Sequence, residues 1–105
     1  MTREERARKA HLSGSNCAAS VYGSFADVNP TPGIAPAPRS EGGKCGAVLA
    51  AEKLLREMGV AADFDGRFEA QFGSLKCGEL RRRRVPCNDL VGAAAKILDE
   101  YIPKG

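Results

Sequence analysis

The chain has 105 residues, enough for one domain with a single modest core. Its formal charge of +3 permits contact with nucleic acid without requiring it. The opening "MTREERARKAHLSGSNC" has no apolar stretch of the kind a secretion signal needs, and the longest apolar run, "AVLAA", is far short of the roughly 20 residues that span a bilayer, so a cytoplasmic chain that does not enter a membrane is expected.

Residues 2–12 are charged and helix-friendly, with weak amphipathicity, and "GS" at 14–15 breaks the run. Ser15 or Asn16, both good N-cap types, opens a second helix. Cys17, Ala18, Val21, Tyr22 and Phe25 fall on one face of it. Residues 29–43, "NPTPGIAPAPRSEGG", hold four of the six prolines, which stop both helix and central strand, so a surface loop is predicted there. "KCGAVLAAEKLLREMG" carries an apolar stripe of Ala47, Ala51, Leu54, Leu55 and Met58, and Gly59 is a helix-ending residue. Phe64, Phe68 and Phe72 recur every four residues and form the aromatic part of the predicted core. Ser74 is placed to cap a short helix bearing Cys77 and Leu80. The last helix starts near Pro86, with Leu90, Val91, Ala94, Ile97, Leu98 and Tyr101 on one side, and Pro103 ends it. No stretch alternates with period 2. These elements predict an all-α single domain over residues 1–105, a small bundle of about five helices.

The chemistry-bearing residues are the four cysteines, Cys17, Cys45, Cys77 and Cys87. Disulfides are rarely structural in the cytoplasm, which leaves redox chemistry, metal binding or core packing. Each cysteine is predicted near a helix N-terminus, where free N–H groups and the positive end of the helix dipole favour a thiolate. A buried cysteine can equally act as a small hydrophobe, although four at helix starts form a pattern. No CxxC occurs, so neither a thioredoxin-type pair nor a zinc ribbon is written locally. A site must therefore be assembled by the fold, either as thiol–disulfide exchange pairs or as ligands to zinc or an iron–sulfur cluster. Cys77 and Cys87, with nine residues between them, are expected to be the nearest neighbours and one exchanging pair, with Cys17 and Cys45 a second pair or resolving thiols.

"SNCAASV", "GGKCGAVLAA", "FGSLKCGEL" and "PCNDLVGAAAKIL" occur in this order within residues 7–101, the stretch that carries a resemblance. In this the chain resembles the C_GCAxxG_C_C family of small four-cysteine proteins. The resemblance implies an all-α bacterial or archaeal domain with a redox or metal-cluster role. It places the family cysteines on Cys17, Cys45, Cys77 and Cys87, the glycine pair on Gly42 and Gly43, and the residues after the second cysteine on Gly46 and Ala47. The family usually has glycine where Ala50 stands. Its segment between the first two cysteines is usually longer and partly helical, where this chain is short and proline-rich.

"RRRR" at 81–84 admits three uses: a solvated turn, electrostatic support for thiolates at Cys77 and Cys87, or a phosphate-binding patch. No aromatic residue interleaves with it and no nucleic-acid-binding motif accompanies it, so nucleic acid is not the expected partner. His11, the one histidine, is expected on the surface; a nucleophile pair with Cys17 is the alternative. "GGKCG" matches neither a P-loop nor a dinucleotide fingerprint. The expected function is thiol–disulfide exchange with a redox partner protein, with metal binding or iron–sulfur electron transfer as the alternative. The residues do not separate a thiol carrier from a thiol catalyst.

Overall fold

The computed structural model describes residues 2–28 and 45–102, apart from the side chain of Cys77. The proline-rich loop predicted over 29–43 lies outside the described residues. Six helices and no β-strand occur among those described: α1 (Arg3–Leu12), α2 (Cys17–Ser24), α3 (Gly46–Met58), α4 (Phe64–Phe72), α5 (Cys77–Arg82) and α6 (Cys87–Tyr101). The chain is all-α, with six described helices where the patterning predicted about five.

Local chemistry explains several of the helix starts and stops. Thr2 and Glu5 form a reciprocal capping box at α1: the Glu5 N–H donates to Thr2 Oγ1 at 3.1 Å and the Thr2 N–H to Glu5 Oε1 at 3.2 Å. Asn16 caps α2, its Oδ1 accepting from the Ala19 N–H at 2.7 Å. Gly59 ends α3 in the left-handed conformation (φ 67), and the Val60 N–H returns to the Leu55 carbonyl at 3.0 Å. Ser74 does not cap α5 as expected. Lys76 is the N-cap, and the Ser74 hydroxyl instead accepts from the Lys76 N–H and donates to the Glu79 carboxylate. A residue three positions before Cys77 is too far upstream to meet the first-turn amides, and it holds the approach to the helix instead.

The helix directions follow from the side chains that meet. Arg3 pairs with Asp99 at 2.5 Å, while Arg8, further along α1, bonds to Asn88 and Asp89, so α1 runs antiparallel to α6. Gly92 makes this approach possible: a Cβ there would lie 2.2 Å from Arg8 Nε. The turn after α1 sends α2 back, and its far end returns to Arg3, whose guanidinium lies 5.2 Å from the Phe25 ring centre and pairs with Asp27. α3 runs alongside α2 in the same sense, with Cys45 beside Cys17 near the start and Lys53 over the Tyr22 ring further along. α4 opposes α6: Arg67 pairs with Glu100 at 2.8 Å near the end of α6, and Phe72 shares a surface hollow with Asp89 and Ala93 near its beginning. α2, α3 and α6 therefore begin at one pole of the bundle.

The core is built from small and aliphatic residues of α2, α3 and α6 together with Phe25, Phe64 and Phe68. Phe64, Phe68 and Phe72 stack along α4 with ring centres 5.7 and 4.8 Å apart, as their spacing predicted. Ala50, standing where the resembled family has glycine, is fully buried, so its methyl group fits this core. Ser20 and Ser24, buried on α2, bond to the Asn16 and Val21 carbonyls at 2.7 Å, which removes the cost of their burial. No helix among the described residues is long and apolar enough to cross a membrane.

Candidate functional site: paired thiols at the head of two helices

All four cysteines stand at helix starts. Cys17, Cys77 and Cys87 are the first residues of α2, α5 and α6, and Cys45 is the N-cap of α3. The local reasons are those of the sequence. Asn16 and Pro86 fix the residue before Cys17 and before Cys87 in extended backbone, with ψ of 168° and 139°, from which a helix can begin at the next position. Helix direction then brings the starts of α2, α3 and α6 to the same pole. The Cys45 N–H donates to the Leu75 carbonyl at 2.8 Å, which ties the start of α3 to the strand of chain leading into α5.

Within this pole the Cys17 and Cys45 side chains hydrogen-bond to one another. Cys17 is half-buried and Cys45 is 3% exposed, so one sulfur faces solvent and the other the core. The Cys45 thiol, donating to the Cys17 sulfur, holds the Cys17 thiol down at about 6, and the backbone N–H groups of Ala18, Gly46 and Cys17 act in the same direction. Partial burial opposes them and is outweighed. Cys45 moves the other way. Its role as donor to Cys17 and its burial both raise it, against the pull of the Ala47 and Val48 amides. The pair therefore carries one negative charge at neutral pH, on the exposed sulfur, with the proton on the buried one.

Two helix N-termini converge here. The Gly46 amide, from the first turn of α3, reaches the sulfur of Cys17 on α2, so the Cys17 thiolate is stabilised by the start of the neighbouring helix as well as by its own. No local motif announces this exchange. The one sequence signal is the placement of a cysteine at each helix start, and the partner amide is supplied only by packing.

Cys87 is half-buried at the head of α6 with a free thiol. Its neighbour Asn88 donates from Nδ2 to the Arg8 carbonyl at 3.1 Å and lies 3.3 Å from His11 Nδ1. His11 thus meets Asn88 of α6, which is the placement the structure gives it. The expected Cys77–Cys87 neighbour relation lies outside the described residues, because it turns on the Cys77 side chain. Among the described residues no group of three or more His, Cys, Asp or Glu side chains is placed to hold a metal ion. The two sulfurs in contact fall short of the four ligands of a structural zinc site or of a Cys-ligated cluster.

The 81–84 arginines close α5 and form the turn to α6, and all four are exposed. Arg84 takes the left-handed conformation (φ 57), and the Arg83 guanidinium lies across Gly73, where a Cβ would come within 2.9 Å of it. No family model, curated protein or solved structure matches the chain.

Proposed function

We propose that the protein exchanges disulfides with a partner protein in the cytoplasm through the Cys17–Cys45 pair. The Cys17 thiolate attacks one sulfur of the partner disulfide, a mixed disulfide forms at Cys17, and the other partner sulfur leaves as a thiolate. Cys45 then loses its proton to a leaving partner thiolate and attacks the Cys17 sulfur. A Cys17–Cys45 disulfide forms, the second partner sulfur is released, and two electrons have passed from the pair to the partner.

The observation that carries this assignment is the hydrogen bond between a half-exposed sulfur and a buried one at two converging helix starts. A low-lying exposed thiol is the attacking group such exchange needs, and a protonated neighbour within contact is a resolving group. The order differs from the expectation that Cys77 and Cys87 are the leading pair; they become a second pair in the proposal. The role agrees with the one implied by the resemblance to the C_GCAxxG_C_C family.

The test is differential alkylation of the reduced protein followed by mass spectrometry. Cys17 should be labelled at neutral pH while Cys45 is protected. A small neutral disulfide should convert the pair to a Cys17–Cys45 disulfide, and Cys45→Ser should trap the mixed disulfide at Cys17. A Cys17 that stays unreactive until the chain is denatured overturns the assignment. Stoichiometric zinc, or visible absorbance with bound iron, lost in Cys17→Ser, would replace it with the metal-binding alternative.

A further inference from the structure

The 81–84 arginines differ from most of the other described arginines, four of which are ion-paired. Arg3 pairs with Asp27 and Asp99, Arg8 with Glu4 and Asp89, and Arg67 with Glu100, at 2.5–3.2 Å. Among the described residues none of Arg81, Arg82, Arg83 and Arg84 makes such a pair. Glu79 is the one carboxylate on α5. It is held by the Ser74 hydroxyl and feels Arg82 and Arg83 only through space. The backbone adds a second observation. Arg84 occupies a left-handed position that is strained for a side-chain-bearing residue and that glycine would fill freely. A fourth cation stands where conformation favours none.

The location ties this charge to the sulfur site. Arg84 is three residues before Cys87, within about 11 Å along the chain. The segment entering α5 is bonded to Cys45 itself. The cationic turn therefore borders the pole at which Cys17 and Cys45 meet.

We propose that the 81–84 arginine turn is a docking surface for an acidic protein face whose disulfide is presented to Cys17. The inference rests on the exchange role proposed above and names the kind of partner it serves. Four exposed guanidinium groups on consecutive residues of a helix end and its turn spread positive charge along the chain, so they suit an array of carboxylates on a broad face and not one small anion. Each fork can donate two parallel hydrogen bonds to a carboxylate. Nucleic acid is the weaker fit, since no aromatic residue interleaves with the run to stack a base. Charge of this kind acts mainly on encounter: it raises association rates by about 10–1,000-fold and is screened over roughly 8 Å at physiological salt.

The experiment measures disulfide exchange of the full reduced chain with three synthetic peptide disulfides, identical except that the cysteine is flanked by Glu, Gln or Lys. At low salt the Glu peptide should react about 10-fold or more faster than the Gln peptide, and the Lys peptide slowest. High salt should collapse the difference. Combining Arg81→Gln, Arg82→Gln and Arg84→Gln should bring the Glu-to-Gln rate ratio close to one, whereas the corresponding Lys substitutions should keep most of it. Equal rates for the three peptides with the wild-type chain overturn the docking surface while leaving exchange intact. Failure of the Gln peptide to react at Cys17 overturns exchange, and the docking surface with it. Tighter binding of a single-stranded oligonucleotide than of the Glu peptide at physiological salt assigns the arginines to phosphate and overturns the acidic protein partner.

Discussion

The Cys17 sulfur accepts a hydrogen bond from the Cys45 thiol, although 27 residues separate the two in the chain. The contact divides the labour between the sulfurs. The half-exposed one is charged and the buried one keeps the proton, and each assignment depends on the other.

Cys45→Ala removes the largest single influence on Cys17. The midpoint of Cys17 alkylation against pH, expected at about 6 in the wild type, should rise towards the ordinary thiol range of about 8.5. It should stop short of that range, because the Ala18 and Gly46 amides remain. The rate at neutral pH is the poorer readout. A more basic thiolate is also the better nucleophile, so the loss of thiolate is partly offset.

The same pair gives stability a distinctive pH dependence under reducing conditions. Cys17 sits lower in the folded chain than in the unfolded one, so between about pH 6 and 9 the unfolded state binds the extra proton and stability increases with pH. Cys45 is raised, so above about pH 9 the folded state retains a proton that the unfolded state has released, and stability falls. Urea midpoints measured across this window should pass through a maximum near its upper end. Cys17→Ser should flatten the lower limb.

Gly92→Ala places a methyl group where the Arg8 guanidinium now lies. The arginine is flexible enough to move, but it then gives up its bonds to Asn88 and Asp89. A loss of about 1 kcal/mol is expected in chemical denaturation. The same change in an Arg8→Ala background should cost much less, since the two effects share one contact.

Phe68→Ala opens the centre of the aromatic stack on α4, where the ring is fully buried between Phe64 and Phe72. The expected cost is about 3–5 kcal/mol, a large part of the stability of a domain this size. Phe68→Leu should cost clearly less, because it leaves a smaller void.

Arg84→Gly relieves the left-handed backbone at the end of α5 and should raise stability by up to about 1 kcal/mol. A drop in the rate with the Glu-flanked peptide disulfide, measured on the same variant, should accompany the gain.

Much of this molecule was legible from the order of its residues. Asn16, Gly59 and Pro86 act within one helical turn, so the starts of α2 and α6 and the end of α3 followed from local hydrogen bonding and fixed dihedrals. The periodicity of Phe64, Phe68 and Phe72 likewise gave a helix and its buried face. By the same means the chain itself determined that each cysteine would stand at a helix start. Which sulfurs would meet was decided elsewhere. Short separation favoured Cys77 with Cys87, whereas the contact seen among the described residues joins Cys17 to Cys45. Helix packing chose it. Gly92 admits Arg8, α1 and α6 lock antiparallel, α2 turns back beside them and α3 lies along α2, which carries two distant helix starts to one pole. Local rules reach about one turn of helix, but the field acting on Cys17 comes partly from an amide and a thiol on another helix, and only the folded chain brings them within bonding distance.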